Sequence, residues 1–221
     1  MSDKRERRSA VATGRGDDGT TDLLFGRARV HKDDPRTEAY GAVDEAVAAL
    51  GLARAELGVL AEHGDLPVTL AAMPELILRF QRELFVAGAQ LATAPGSEDR
   101  QKPGYTRVTA EMVAWLDGVL AENEASIELP REFVVPGETR LSAALEMART
   151  IVRRAERRAV AIERAEPLGD DHLIPYLNRL ADLIWILARA AEQAESRAAT
   201  PASPSRRRRS GDAEPGDPAR G

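Results

Sequence analysis

The sequence predicts an all-α fold, a five-helix bundle built on a four-helix-bundle-like core. Three observations predict it. Apolar residues recur at helical spacing in five separate stretches, no stretch alternates apolar and polar residues for long, and aromatic residues make up only 4% of the chain. A core so poor in rings is built from Leu, Ala, Val and Ile, and Leu and Ala are strong helix formers.

The segment before the helices, residues 13–33, is rich in Gly, Thr and Asp and reads as a loop. The first helix starts at Asp34-Pro35, an N-cap followed by Pro at N1, with an apolar stripe of Ala39, Val43, Ala46, Val47 and Leu50. The second starts near Pro74 and carries Ile77, Phe80, Leu84, Gly88 and Leu91. The third starts near Thr109 with Val113, Leu116 and Leu120. The fourth follows Pro136-Gly137, and its stripe of Leu141, Leu145, Ala148, Val152, Ala155, Ala159 and Ile162 keeps the helical period throughout. The fifth runs from about His172, with Leu177, Leu180, Ala181, Ile184, Leu187 and Ala191. Long helical stretches with no sustained period-2 pattern make a bundle the natural architecture.

Three divisions follow: a flexible N-terminus over residues 1–12, a helical domain over 13–195 and a disordered tail over 196–221. The tail is rich in Pro, Ser, Gly and Arg and holds too little apolar surface to offset its ordering entropy. It carries six Arg against three acidic residues, so its charge is +3 and that of residues 1–195 is −8, for a total of −5. An acidic body argues against a nucleic-acid binder. The Arg206–Arg209 run reads as a solvated tail or, alternatively, as a patch for nucleic acid or an acidic surface. There is no Cys, so disulfides and thiolate metal sites are excluded, and a reducing compartment fits. No run of about 18 apolar residues exists to span a membrane, and the first residues lack the apolar core of a secretory signal. The expected location is the cytoplasm.

Three segments carry candidate chemistry. In the N-terminal loop, Gly14, Gly16 and Gly19 let the backbone approach a ligand, and Thr13, Thr20 and Thr21 add hydroxyls. Such a loop either cradles phosphates on its N–H groups or is a plain flexible leader; no Walker sequence follows it. On the fourth helix, Arg149, Arg153 and Glu156 fall roughly 90° from the centre of the apolar stripe, on the shoulder of the buried face, with Arg154 and Arg158 turned further toward solvent. An arginine fork suits phosphate or carboxylate; the alternative is an ordinary salt-bridged surface. On the fifth helix Asn178 and Asp182 share a face beside the apolar stripe. Phe133, in the link before the fourth helix, reads on its own as a core anchor.

Together these segments resemble one family, the PduO-type ATP:cob(I)alamin adenosyltransferases. Thr13-Gly14-Arg15-Gly16-Asp17-Asp18-Gly19-Thr20-Thr21 resembles the signature Thr-Lys/Arg-Thr-Gly-Asp-x-Gly-x-Ser/Thr. Lys32-Asp33-Asp34-Pro35 resembles its KDDP, and EAYGAVDEA from Glu38 to Ala46 its next block. FVVPGETRLSAAL from Phe133, ARTIVRRAERR from Ala148 and YLNRLADLIWILAR from Tyr176 resemble the remaining three.

The resemblance implies a homotrimer with active sites between subunits, which binds ATP with Mg²⁺ and then cobalamin. It implies that Thr13, Gly14, Arg15, Gly16, Thr20, Thr21 and Lys32 hold the polyphosphate. Arg153, Arg154, Glu156, Arg157 and Asn178 complete the ATP site, with Glu156 a possible contact to the metal. Asp44 is to pair with Arg149 across the interface, and Phe133 is to lie beneath the corrin and displace its lower ligand. Catalytic work thus falls to Phe133, Arg153, Asp44 and Arg149. The expected partner is an adenosylcobalamin-dependent acceptor enzyme. The sequence departs from the family pattern at Gly14 and Arg15, where the basic residue stands one place later, at Glu138 for a Gly, and at Glu146 where a His is common. Two other readings stand beside this one: a non-catalytic cobalamin-binding carrier or regulator, and a purely structural bundle.

Overall fold

The structure, a computed structural model, describes residues 11–169, 172–197 and 199–202. Five α-helices carry the fold among these residues: α1 (Pro35–His63), α2 (Met73–Leu91), α3 (Ala110–Glu124), α4 (Arg140–Ala165) and α5 (Leu173–Ala194). Their starts agree with the sequence signals, because capping chemistry sets them. Asp34 accepts the Arg36 N–H at 2.8 Å with Pro35 directly after it. Thr139 and Ser142 exchange side-chain and backbone bonds in a capping box that opens α4. At the other end of α1, Gly64 turns left-handed at φ 76°, and Gly64 and Asp65 donate to Ala61 and Leu60. These are the two bonds of a Schellman stop.

The core lies between α1, α2, α4 and α5, with α3 packed outside against α5. In α1 the fully buried residues Ala39, Ala46 and Ala53 recur every seven positions, and α4 answers with Ala148, Ala155 and Ala159. Small residues on both sides let these two helices lie close along their length. The expected stripes of α2, α4 and α5 are buried, apart from Gly88, which packs against Val43 at the α1 contact. Val47 of α1 is only half-buried; in α3, covered on one side, the expected Leu116 is buried, but Met112 joins it in place of the half-buried Val113 and Leu120.

Two short antiparallel ribbons were not foreseen. Strand β1 (Thr20–Asp22) pairs with β2 (Arg29–His31), so the Gly-rich segment is a hairpin rather than an open loop. The hairpin is docked on the end of α2 by the Leu24 N–H to Ala92 and the Ala94 N–H to Leu24. Strand β3 (Val134–Val135) pairs with β4 (Thr200–Pro201). The expected tail over residues 196–221 therefore contains one strand of a ribbon: two residues are too few to show alternation, and backbone pairing does not need a core. Residues 1–10 of the expected flexible start over residues 1–12, and the Arg206–Arg209 run, lie outside the described residues.

Candidate active site

The first half of the candidate site is the hairpin. Gly14 has φ 72° and Gly19 φ 77°, conformations open to Gly without strain. Arg29, which the sequence reading passed over, holds this segment together. It is partly buried, and it donates to the Thr20 hydroxyl at 2.6 Å, the Thr20 carbonyl at 2.9 Å and the Arg15 carbonyl at 2.7 Å. It also pairs with Asp22, as Arg15 does at 3.0 Å. Lys32 donates to the Gly16 carbonyl at 2.8 Å, and the Thr13 hydroxyl accepts the Arg15 N–H. The Asp18 carboxyl accepts the Thr20 hydroxyl at 2.7 Å and the Thr20 N–H at 3.0 Å; these bonds, the hydroxyl first, hold its pKa below the usual carboxylate value. Thr21 pairs with Val30 within the ribbon. The result is a surface of N–H, hydroxyl and ammonium groups set by tertiary bonds in the free chain.

The second half lies on α4. That helix has two charged shoulders. On the α1 side, Arg154 is ion-paired with Glu45 and Arg158 lies 3.6 Å from Glu38. On the α5 side, Asn178 donates to Glu156 at 3.2 Å, and Arg149 donates to Glu146 at 2.7 Å. The expected order of exposure is corrected here. Arg154 is half-buried, because α1 packs along its side, whereas Arg153 is exposed. Arg153 and Arg157 have no ion-pair partner among the described residues, so their guanidinium forks are available to a ligand.

Phe133 is not a core anchor. It is 90% exposed, held at the edge of the β3–β4 ribbon by the Ala202 N–H, which donates to its carbonyl at 2.6 Å. It lines a cavity of about 490 Å³ with Pro130, Glu146, Arg149 and Trp185. Trp185 was missed by the sequence reading, although its spacing from Asn178 and Asp182 puts it on their face of α5. Asp44 is exposed in a separate groove of about 450 Å³ between α1 and α2, beside Tyr40 and Phe85. Phe85 is itself 64% exposed.

One chain brings Phe133 and Arg149 together, and Glu156 and Asn178 together. It does not join the halves: no hydrogen bond or ion pair among the described residues links the Thr13–Lys32 segment to Arg149, Arg153, Arg154, Glu156, Arg157 or Asn178. Among the described residues no group of three His, Cys, Asp or Glu side chains comes together as a metal cage. No helix of the described residues is long and apolar enough to cross a membrane.

Comparison with known proteins tests the resemblance directly. The family model described as cobalamin adenosyltransferase matches residues 11–191. The corrinoid adenosyltransferase of Mycobacterium tuberculosis is 42% identical over 182 residues, which cover 82% of this chain and 88% of that protein. A corrinoid adenosyltransferase of Citrobacter freundii is 38% identical, covering 82% of this chain and 94% of that one. A solved structure of a variant PduO-type ATP:corrinoid adenosyltransferase from Lactobacillus reuteri, complexed with cobalamin and ATP, superposes with a TM-score of 0.72 at 28% identity, covering 85% of this chain and 96% of that one. The six sequence blocks, the helical architecture and these relatives agree, and the chain belongs to the cobalamin adenosyltransferase family.

Proposed function

We propose that this protein transfers the 5′-deoxyadenosyl group of ATP to the cobalt of cob(I)alamin, giving adenosylcobalamin and triphosphate. The observation that carries this reading is the pairing of an exposed aromatic with a cation in one cavity: Phe133 beside Arg149. Co(I) is a strong nucleophile, so the step needs no general base. A cobalt–carbon bond forms at C5′, the C5′–oxygen bond breaks, and the triphosphate departs with its electron pair.

The residues have work suited to that step. Negative charge grows on the leaving triphosphate, and preorganised cations and N–H donors stabilise it. Lys32 and the Thr13–Thr21 backbone, braced by Arg29, supply these on one side. Arg153 and Arg157 supply them on the other, with Glu156 and Asn178 fixing the nucleoside. Mg²⁺ would be held chiefly by ATP, which suits an ion that keeps most of its ligands outside protein cages, and Glu156, with one carboxylate oxygen given to Asn178, would offer it the other. Phe133, apolar and projecting, excludes the lower axial ligand of cobalamin.

The division of the site between two unconnected surfaces supports assembly as a homotrimer with sites between subunits. In that assembly the Asp44 groove receives a neighbouring copy, and Asp44 meets Arg149 of the partner subunit. The protein acts in the cytoplasm and supplies an adenosylcobalamin-dependent enzyme. Incubation with ATP, Mg²⁺ and chemically reduced cobalamin, followed by absorbance, tests the activity. Cobalamin binding without conversion would instead identify a carrier. Sedimentation tests the trimer.

A further inference from the structure

We propose that Glu146 is the positioning residue for Arg149, fixing its guanidinium at the wall of the Phe133 cavity; this rests on the transferase reading above. Glu146 is 3% exposed, in the first half of α4. One carboxylate oxygen accepts from Arg149 Nε at 2.7 Å, and the other lies 3.3 Å from Arg189 Nη2. Arg189 is 1% exposed, is also paired with Glu192 at 2.8 Å, and sits over the Trp185 ring at 5.5 Å. A carboxylate this deep is tolerated only when paired.

Two buried carboxylates, Glu146 and Glu192, share the one charge of Arg189, so Arg149 completes the charge balance. The Glu146–Arg149 bond also fixes a side chain, because the Arg149 side chain is 24% exposed and would otherwise be free to sample solvent. Nε is occupied, while Nη1 and Nη2 of Arg149 have no hydrogen-bond partner among the described residues, and Arg149 lines the cavity with Phe133. A long side chain loses about 2 kcal/mol of rotamer freedom when immobilised. Glu146 brings Arg149 to the corrinoid with much of that cost already met, backed by the buried Arg189–Glu192 pair.

The test is a double-mutant cycle on the full chain with Glu146→Gln and Arg149→Lys, reading kcat, the KM of cobalamin and of ATP, and Tm. Glu146→Gln is expected to raise the cobalamin KM by about tenfold, to leave the ATP KM within about twofold, and to add less than about twofold in the Arg149→Lys background. Glu146→Asp keeps the charge that Arg189 needs but withdraws it from Arg149 by one methylene, and the same kinetic defect is expected at near-native Tm. Wild-type cobalamin KM in a folded Glu146→Asp or Glu146→Gln variant would overturn the proposal, as would full additivity with Arg149→Lys. Cob(II)alamin binding, titrated by absorbance, reads the same coupling without turnover. A wild-type chain that binds but does not convert therefore sinks the transferase reading alone.

Discussion

The Lys32 ammonium donates to the Gly16 carbonyl at 2.8 Å, joining the end of β2 to the turn that precedes β1. The approach is so close that a Cβ built on Gly16 would lie 2.9 Å from Lys32 Nζ and 3.3 Å from the Thr20 carbonyl. Gly16→Ala is expected to push the lysine aside, because its flexible end yields before backbone does. The ATP KM should rise severalfold while the cobalamin KM stays unchanged, which initial rates at varied ATP will check.

Arg29→Ala removes three bonds to the same segment. Charge-assisted hydrogen bonds contribute about 1.5–3 kcal/mol each when buried. This group is partly exposed, so about 1–2 kcal/mol is expected in total, appearing as roughly tenfold weaker ATP binding. Calorimetric titration with ATP is the measurement; unchanged affinity would leave Arg29 a bystander.

Arg153 is exposed and makes no ion pair among the described residues. Arg153→Lys should therefore shift stability by no more than about 0.5 kcal/mol. It should nonetheless lose most turnover, since the lysine lacks the planar fork. A melting curve and a rate measured on one preparation separate the two effects.

Phe133→Ala follows similar logic with a different outcome. Truncation of a buried Phe costs about 3–5 kcal/mol, but this ring is 90% exposed, so a native-like Tm is expected. Turnover starting from Co(II) should fall sharply, because the lower ligand then stays bound during reduction. Pre-reduced Co(I), which has no lower ligand to displace, should rescue it in part. Equal, wild-type rates from both oxidation states would remove Phe133 from the reaction.

The tail is expected to matter as far as residue 202 and no further. Ending the chain after Ser196 deletes β4 and with it the pairing to Val134–Val135 and the bond to the Phe133 carbonyl. Ending it after Ala202 keeps both. The shorter chain should lose cobalamin turnover and retain ATP binding; the longer should match the full chain. Equal activity of the two would make the ribbon dispensable.

The helices were legible in the sequence because the signals that set them are local. Asp34-Pro35 and Thr109 each announce a helix start, Pro136-Gly137 announces the approach to another, and the stripe from Leu141 to Ile162 announces a buried face. The ribbons were not legible, since two or three residues carry no usable period and their partners lie far away, as Val135 and Thr200 do. Angles on an isolated helix placed Glu156 beside the buried face correctly. They misjudged Arg154, because which shoulder is covered depends on where α1 packs. Phe133 looked like core because an aromatic beside two valines normally is. Arg29 acts through tertiary contacts that no local pattern displays, whereas the helical spacing of Trp185 from Asp182 was there to be read.

The separation between the hairpin and the guanidinium shoulder of α4 has a genetic consequence. If each working site takes its phosphate loop from one chain and its arginines from another, inactivity is a property of pairs, not of single polypeptides. A loop-defective Gly16→Ala or Arg29→Ala chain and an Arg153→Lys chain, both impaired alone, should recover activity when co-expressed, because some mixed assemblies hold an intact pair. Two loop-defective alleles should not complement each other, and at such a locus the combination of alleles would decide the phenotype.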